Sequence, residues 1–315
     1  MANIGYIQVN RYCNNNCHFC SNPSNEKDIS YERGIELINE FILKKYEGVI
    51  FTGGEPTLSK DLPKWIEYAK SKSINSRVIS NGSITSDFDF AKKLKDAGLK
   101  LIHFSIYSHI EKIHDFLTGN PGSYQNVIKS IQNMTKLGVE VQINTVINHY
   151  NEDHLDKIVM FLNKQFPNIY HFVWNNLDPL MMQQTKIALT TLPNFDAFEI
   201  SLKKAMDFLT SKRKTFRAER VPLCFMRGYE FVSTETRKIV KNEERLVYFL
   251  DSREVINDKG LDFIHDKKPE CTECDLNPIC GGVYESEKFY SYVKVKPQKL
   301  SKTEKESIIN IINSN

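Results

Sequence analysis

The sequence predicts an α/β protein: a partial (β/α)6 barrel with a small C-terminal cysteine-rich domain. Three observations carry the prediction. Short β-rich runs alternate with helical stretches from residue 4 to about 175, the pattern of βαβ units in a parallel sheet. Six such runs occur, and six right-handed repeats curve into an open barrel rather than a closed eight-stranded one. All seven cysteines fall into two sets, at 13, 17 and 20 and at 224, 271, 274 and 280.

The elements follow in order. "IGYIQVN" (4–10) reads as a strand and 31–46 as an amphipathic helix. "GVIFTGG" (48–54) is a strand entering a glycine turn, with a helix over 60–72. Next come a strand at 76–82, a helix at 87–98 and a strand at 99–108. A helix at 123–138, a strand at 139–148, a helix at 152–166 and a strand at 169–176 complete the series. Gly98 and Gly138 suit helix C-caps. Around 177–195 the pattern gives way to polar, proline-bearing sequence, and a helix follows at 195–213. Periodicity is irregular from about 216. The expected domains are a barrel over 1–215, a cysteine-rich domain over 216–300 and a tail helix over 301–315, opened by a Ser301–Glu304 capping box.

Composition excludes some classes. Of 315 residues, 41% are hydrophobic and 26% charged, as in ordinary globular proteins. The net charge is 42 minus 39, or +3, with the two signs interspersed, which argues against nucleic acid as partner. No run approaches a membrane span, and the N-terminus lacks a signal-peptide layout. A cytoplasmic location is expected, where cysteines act as metal ligands or catalysts before they form disulfides.

Cys13, Cys17 and Cys20 form C-x3-C-x2-C in the loop after the first strand. Four thiolates close a tetrahedral zinc site or an iron–sulfur cubane, whereas three leave one metal corner open. The spacing alone fits a zinc knuckle short of a ligand or a cubane with one free iron. His18, next to Cys17, is badly placed to join the same tetrahedron and reads as loop filler. At the end of the second strand stands "TGGEP". Gly53 and Gly54 there let a ligand approach the backbone, and Glu55 can pair with an ammonium group.

Together these motifs resemble the radical S-adenosylmethionine (SAM) superfamily over about residues 4–175. The resemblance implies a [4Fe–4S] cluster held by Cys13, Cys17, Cys20 and SAM, whose amino and carboxylate groups chelate the open iron. It implies that Phe19 flanks the adenine and that Gly53, Gly54 and Glu55 hold the SAM ammonium. Ser80 and Asn81 of "ISNG", Ser105 of "FSIYS" and Asn144 of "INTVINHYN" match further SAM-contacting positions. On the residues alone, Ser80, Asn81 and Asn144 could equally be turn and strand-end residues. Tyr107 stands where many relatives carry an acid. The stretch 114–124, "HDFLTGNPGSY", also resembles the family. The implied chemistry is reductive cleavage of SAM to a 5′-deoxyadenosyl radical that abstracts a substrate hydrogen inside a barrel that excludes water.

Cys271, Cys274 and Cys280 make C-x2-C-x5-C and resemble part of the SPASM region, or its shorter twitch form, behind many such barrels. The full pattern continues to another cysteine where this chain has Tyr284. With Cys224, four cysteines remain, enough for one fully ligated second [4Fe–4S] cluster. A four-cysteine zinc site is the alternative, since zinc accepts the same ligands. A further one is that Cys224 is a plain buried thiol and the cluster keeps an open iron. The charged run at 237–246 reads as a solvated face, with a hairpin formed by 246–252 and 261–266.

An electron-accepting second cluster suits an oxidative reaction, a crosslink or dehydrogenation. A ribosomally made peptide is the first-choice substrate and a small metabolite the second. Tyr107, His103, Asp178 and Lys186 are loosely placed candidates for a base. With all seven cysteines on metal, none is left to return a hydrogen atom. Only twelve residues precede Cys13, so either a separate leader-peptide-binding protein presents the peptide, or the protein binds its leader elsewhere, or the substrate is a small molecule. A one-electron reductant such as a flavodoxin or ferredoxin is the other expected partner. A non-enzymatic iron–sulfur carrier or sensor, or a zinc-stabilised binding protein, is the reading of another class; neither needs "GGEP" or an open metal corner.

Overall fold

The computed structural model describes residues 4–22, 24–179, 185–242, 246–250, 255–257, 265–284 and 287–314. In chain order the elements are β1 (Ile4–Asn10), α1 (Tyr31–Leu43), β2 (Gly48–Gly53), α2 (Leu62–Ser71), β3 (Asn75–Ser80), α3 (Phe88–Ala97), β4 (Leu101–Ser105), α4 (Glu111–Thr118), α5 (Ser123–Lys136), β5 (Glu140–Ile147), α6 (Leu155–Gln165) and β6 (His171–Asn176). There follow α7 (Lys186–Leu189), α8 (Phe195–Ser211), β7 (Thr215–Glu219), α9 (Thr234–Lys241), β8 (Leu246–Tyr248), β9 (Val255–Asn257), β10 (His265–Asp266), β11 (Val283–Tyr284) and α10 (Lys302–Ser314).

Local chemistry sets the helix ends. Ser30, Asp87 and Asn194 accept first-turn backbone N–H groups of α1, α3 and α8, satisfying donors that a helix leaves unpaired. Gly98 closes α3 at φ 115°. At α10 the capping box forms, with Ser301 N–H donating to Glu304 Oε2 at 2.7 Å and Glu304 N–H to Ser301 Oγ at 3.2 Å.

One nine-stranded sheet runs β7-β6-β5-β4-β3-β2-β1-β8-β9. Strands β1 to β7 pair in parallel in sequence order, β8 joins β1 in parallel, and β9 returns antiparallel to β8. The parallel series therefore runs beyond the six strands expected. β7 begins at residue 215, where the barrel was expected to end, and pairs Phe216 with Phe172 of β6. Strands of three to five residues show too little alternation to be read from sequence.

The hairpin also differs: β8 pairs with β9, residues 258–264 lie outside the described residues, and His265–Asp266 pairs with Val283–Tyr284. Nor is 237–246 a solvated face throughout, because Arg237 and Lys238 are 3% and 6% exposed. Part of the polar stretch at 177–195 (180–184) lies outside the described residues.

Alternation divides each strand between two layers. Ile7, Phe51, Val78, Phe104, Ile143 and Trp174 join the helices in one core. Trp65 is also fully buried, its indole N–H donating to Tyr31 O at 3.0 Å. The opposite positions line the concave face, and the strands' C-terminal ends gather the motif loops at one rim, where α/β folds place their sites. No helix among the described residues is long and apolar enough to cross a membrane.

Candidate functional site

The loop after β1 is held by backbone on two sides. Gly54 N–H donates to Asn10 O at 2.8 Å, and Glu55 N–H to Tyr12 O at 2.9 Å. Across the loop, Asn16 N–H donates to Thr118 O and His18 N–H to Leu117 O, at 2.9 and 3.0 Å. The two glycines are required by a close approach within the chain itself. A Cβ on Gly53 would stand 2.3 Å from Asn10 O, and one on Gly54 2.2 Å from Tyr12 O. Gly53 also has φ 142°, where L side chains are strained. The backbone that comes close is the chain's own cysteine loop.

N–H groups converge on the sulfurs. Asn15 N–H lies 3.4 Å from Cys13 Sγ, Asn81 Nδ2 3.6 Å from the same sulfur, and Asn22 N–H 3.3 Å from Cys20 Sγ. Asn22 Oδ1 is in turn held by Gln8 and Arg11. Burial pushes the Cys13 thiol up to about 11 and raises Cys17 and Cys20; Cys13 and Cys20 add to the rise at Cys17. His18 takes no part in this cluster; its ring packs on Phe116, 4.9 Å between centroids.

Glu55 is 1% exposed, and its carboxylate accepts four bonds: Thr57 N–H at 3.0 Å, Thr57 Oγ1 at 2.6 Å, Ser80 Oγ at 2.8 Å and Asn81 N–H at 2.7 Å. Burial raises its carboxyl, while these donors pull the other way. Three of these bonds fall on Oε1 and one on Oε2, so Glu55 ties the end of β3 to the turn after β2. Through it, Ser80 and Asn81 are fixed beside Cys13.

The rim beyond β4 is aromatic. Phe19, 4% exposed, meets Tyr107 edge-on at 4.8 Å. Tyr107 bonds Ser105 and lies close enough to feel all three cysteines; burial, more than their charge, drives its hydroxyl well above the usual range. Asn144 Oδ1 accepts from Asn175 Nδ2. Sequence reasoning missed Tyr107 as a neighbour of the cysteine loop, because no short-range spacing links residues so far apart. It also missed Asp115, which accepts from Gly122 N–H, Ser123 Oγ and Tyr124 N–H at 2.7 to 2.9 Å and so joins α4 to α5 beneath the loop.

The second cysteine set shares one pocket. Cys224, Cys271, Cys274 and Cys280 all line it, with Lys267 and Lys296. Burial pushes Cys224 up to about 12, and the other three thiols are near enough to add to this. Gln298 N–H and Gly282 N–H point at Cys274 Sγ and Cys280 Sγ, at 3.3 and 3.4 Å. Cys224 follows β7, so the pocket adjoins the same rim. There Tyr290 OH donates to Leu177 O at 2.9 Å, and Arg220 stands 4.0 Å from Asp178 with its guanidinium over the Tyr284 ring.

Residues 7–162 match the Radical SAM superfamily. The matched stretch holds both motifs, most of β1 and the whole of β2 to β5. Residues 7–162 are thus similar to a radical SAM domain. A 173-residue stretch is 30% identical to "Fe-coproporphyrin III synthase" of Methanosarcina barkeri, covering 53% of this chain and 43% of that protein. The chain thus spans less than half the length of this curated relative. Streptococcus suis SuiB bound to S-adenosylmethionine has the same fold, with TM-score 0.66 and 15% identity over 90% of this chain and 73% of that one. So has anSMEcpe with bound AdoMet, with TM-score 0.65 and 18% identity over 99% and 100%.

The radical SAM domain implies SAM and a [4Fe–4S] cluster, and the first cysteine set fits that group. Partly buried thiols with N–H groups aimed at sulfur suit thiolate ligands once a cation offsets their charge. Among the described residues, no three His, Cys, Asp or Glu side chains are gathered as for a single metal ion. Thiolates around a cube of irons stand further apart than the four sulfurs at about 2.3 Å from one zinc. The base candidates are dispersed: Lys186 is exposed at the head of α7, Asp178 is at the rim, and His103 lies deeper on the concave face.

Proposed function

We propose that the chain is a radical SAM enzyme that cleaves SAM reductively and abstracts a hydrogen atom in the oxidative modification of a ribosomally made peptide. The observation that carries this is the pairing at one rim of a three-cysteine loop with a four-cysteine pocket. Cys13, Cys17 and Cys20 hold the first [4Fe–4S] cluster, leaving one corner for SAM. When bound, cluster and SAM supply one-electron cleavage of a sulfonium and a hydrogen-abstracting radical. Gly53, Gly54, Glu55, Ser80 and Asn81 shape the wall beside Cys13. Phe19 and Tyr107 give an apolar wall that excludes water, and Ser105 and Asn144 present polar groups below it.

Cys224, Cys271, Cys274 and Cys280 would hold a second [4Fe–4S] cluster in a twitch-like site, and that cluster would supply a one-electron acceptor for an oxidation. The proton would leave through a rim group such as Asp178, which stands 4.0 Å from Arg220. A peptide is favoured because a structure of SuiB holds precursor peptide SuiA and one of anSMEcpe holds the Cp18Cys peptide. A small metabolite is the second reading, favoured by the sequence likeness to the Fe-coproporphyrin III synthase. A cytoplasmic flavodoxin or ferredoxin supplies the electron.

The test is anaerobic incubation with SAM and a strong reductant. The parent releases 5′-deoxyadenosine and Cys17→Ala releases none; equal release by both would remove the site assignment, and none from the parent would leave an electron carrier or binding protein.

A further inference from the structure

Below the rim, the concave face carries a basic layer that the reaction outlined above does not use. Strand alternation turns Arg77, His103 and His171 away from the core, because Val78, Ile102 and Phe172 beside them are buried in it. The register puts His103 opposite Ile79 of β3 and Gln142 of β5, so Arg77 lies one same-face step further from the rim. His171 continues the layer on β6, and Arg217 of β7, paired with Val173, lies one same-face step nearer the rim.

Two of these groups are unsatisfied. Among the described residues, no hydrogen bond or ion pair reaches the half-buried Arg77 guanidinium. Tyr6 and Glu140 act on it only at a distance, and the Glu140 carboxylate is engaged by Gln142 Nε2 at 2.7 Å. His103 Nε2 is buried with no partner. Burial first, then Arg77, holds His103 down to about 3; burial first, then Arg217 and Arg77, holds His171 down to about 4. Both imidazoles are therefore neutral at pH 7, and the layer's charge resides on arginine. A buried donor without an acceptor costs stability, and one oxyanion would satisfy His103 while pairing with the half-buried Arg77.

We propose that this layer is a substrate subsite for an oxyanion, a carboxylate or a phosphate, received by Arg77 with His103 donating beside it. Ser105 lies two residues up β4 on the same face, roughly 7 Å nearer the rim. A substrate anchored at Arg77 thus extends towards the radical SAM site with its reacting carbon above the anchor. The assignment rests on the reading of the barrel as the place where substrate is held.

The probes are radiolabelled glutarate for a carboxylate and inorganic phosphate, each dialysed to equilibrium against the full-length protein. One of them binds saturably and shows which chemistry the site takes. Arg77→Leu weakens that binding roughly tenfold or more, Arg77→Lys restores part of it, and His103→Phe weakens it less. Should a variant fail to fold, the parent still reports: phenylglyoxal labelling of Arg77, read by mass spectrometry, slows in the presence of the probe that binds. No saturable binding of either probe, or labelling at an unchanged rate, would overturn the subsite. SAM cleavage without oxyanion binding removes this inference alone, whereas oxyanion binding without SAM cleavage removes the enzyme reading and leaves the subsite.

Discussion

At the residue scale, three side chains or their absence decide whether the cysteine loop keeps its shape. Gly54 is the tightest, with its missing Cβ 2.2 Å from a carbonyl oxygen that cannot move independently of the loop. Gly54→Ala should cost about 1–3 kcal/mol, as overpacking does, and lower iron uptake at the first site while the second still fills. Mössbauer spectra of the two populations would show this, and full loading of both would contradict it. Glu55→Gln replaces an acceptor of four donors with a group that must turn N–H towards at least one of them. Chemical denaturation should show a loss of about 1–3 kcal/mol.

Asp115 gives the pH prediction. Burial, the largest single influence, pushes the carboxyl up, but its three donors and His114 together hold it below its usual range. A depressed folded pKa gives stability that is present above the unfolded value and lost as pH falls through the folded one. Asp115→Asn should therefore cost about 1 kcal/mol at neutral pH and less below pH 3.8, the ordinary value. A variant whose deficit grows on acidification would refute the assignment. "TGGEP" was legible as a site motif, but the sequence could not tell that its glycines admit the cysteine loop. That fact depends on the loop's path in three dimensions.

At the element scale, the long amphipathic helices and the buried strands up to β6 were readable because each spans enough residues for its period to show. Cap residues marked their ends. β7, β8 and β9 escaped, being short and set in charged sequence whose buried members, Arg237 and Lys238, mimic a surface. β7 matters beyond its length. It packs Phe216 edge-on against Trp174, 5.8 Å between ring centroids, and its end leads to Cys224. Phe216→Ala should cost about 3 kcal/mol and loosen the second pocket before the first. Hydrogen exchange would show β7 and the segment after it opening ahead of β1 to β4; uniform exchange across the sheet would contradict this.

At the scale of the whole molecule, the sequence divided the cysteines into three and four, and the fold brings each group together at the rim. It could not decide whether Cys224 belongs with the later three, because that depends on where β7 ends relative to a pocket built mainly by residues 267–297. Cys274→Ala should empty the second site and leave some uncoupled SAM cleavage at the first. Retention of the parent's full iron content by that variant would remove the second site.

The most direct measurement is the count of iron, sulfide and zinc per chain after anaerobic purification and reconstitution. The account predicts about eight irons with matching sulfide, two cubanes of four, and no zinc. About four irons with one zinc would keep the radical SAM site and remove the second cluster as electron acceptor. Zinc alone, with no iron taken up, would contradict the account from its first cysteine onwards.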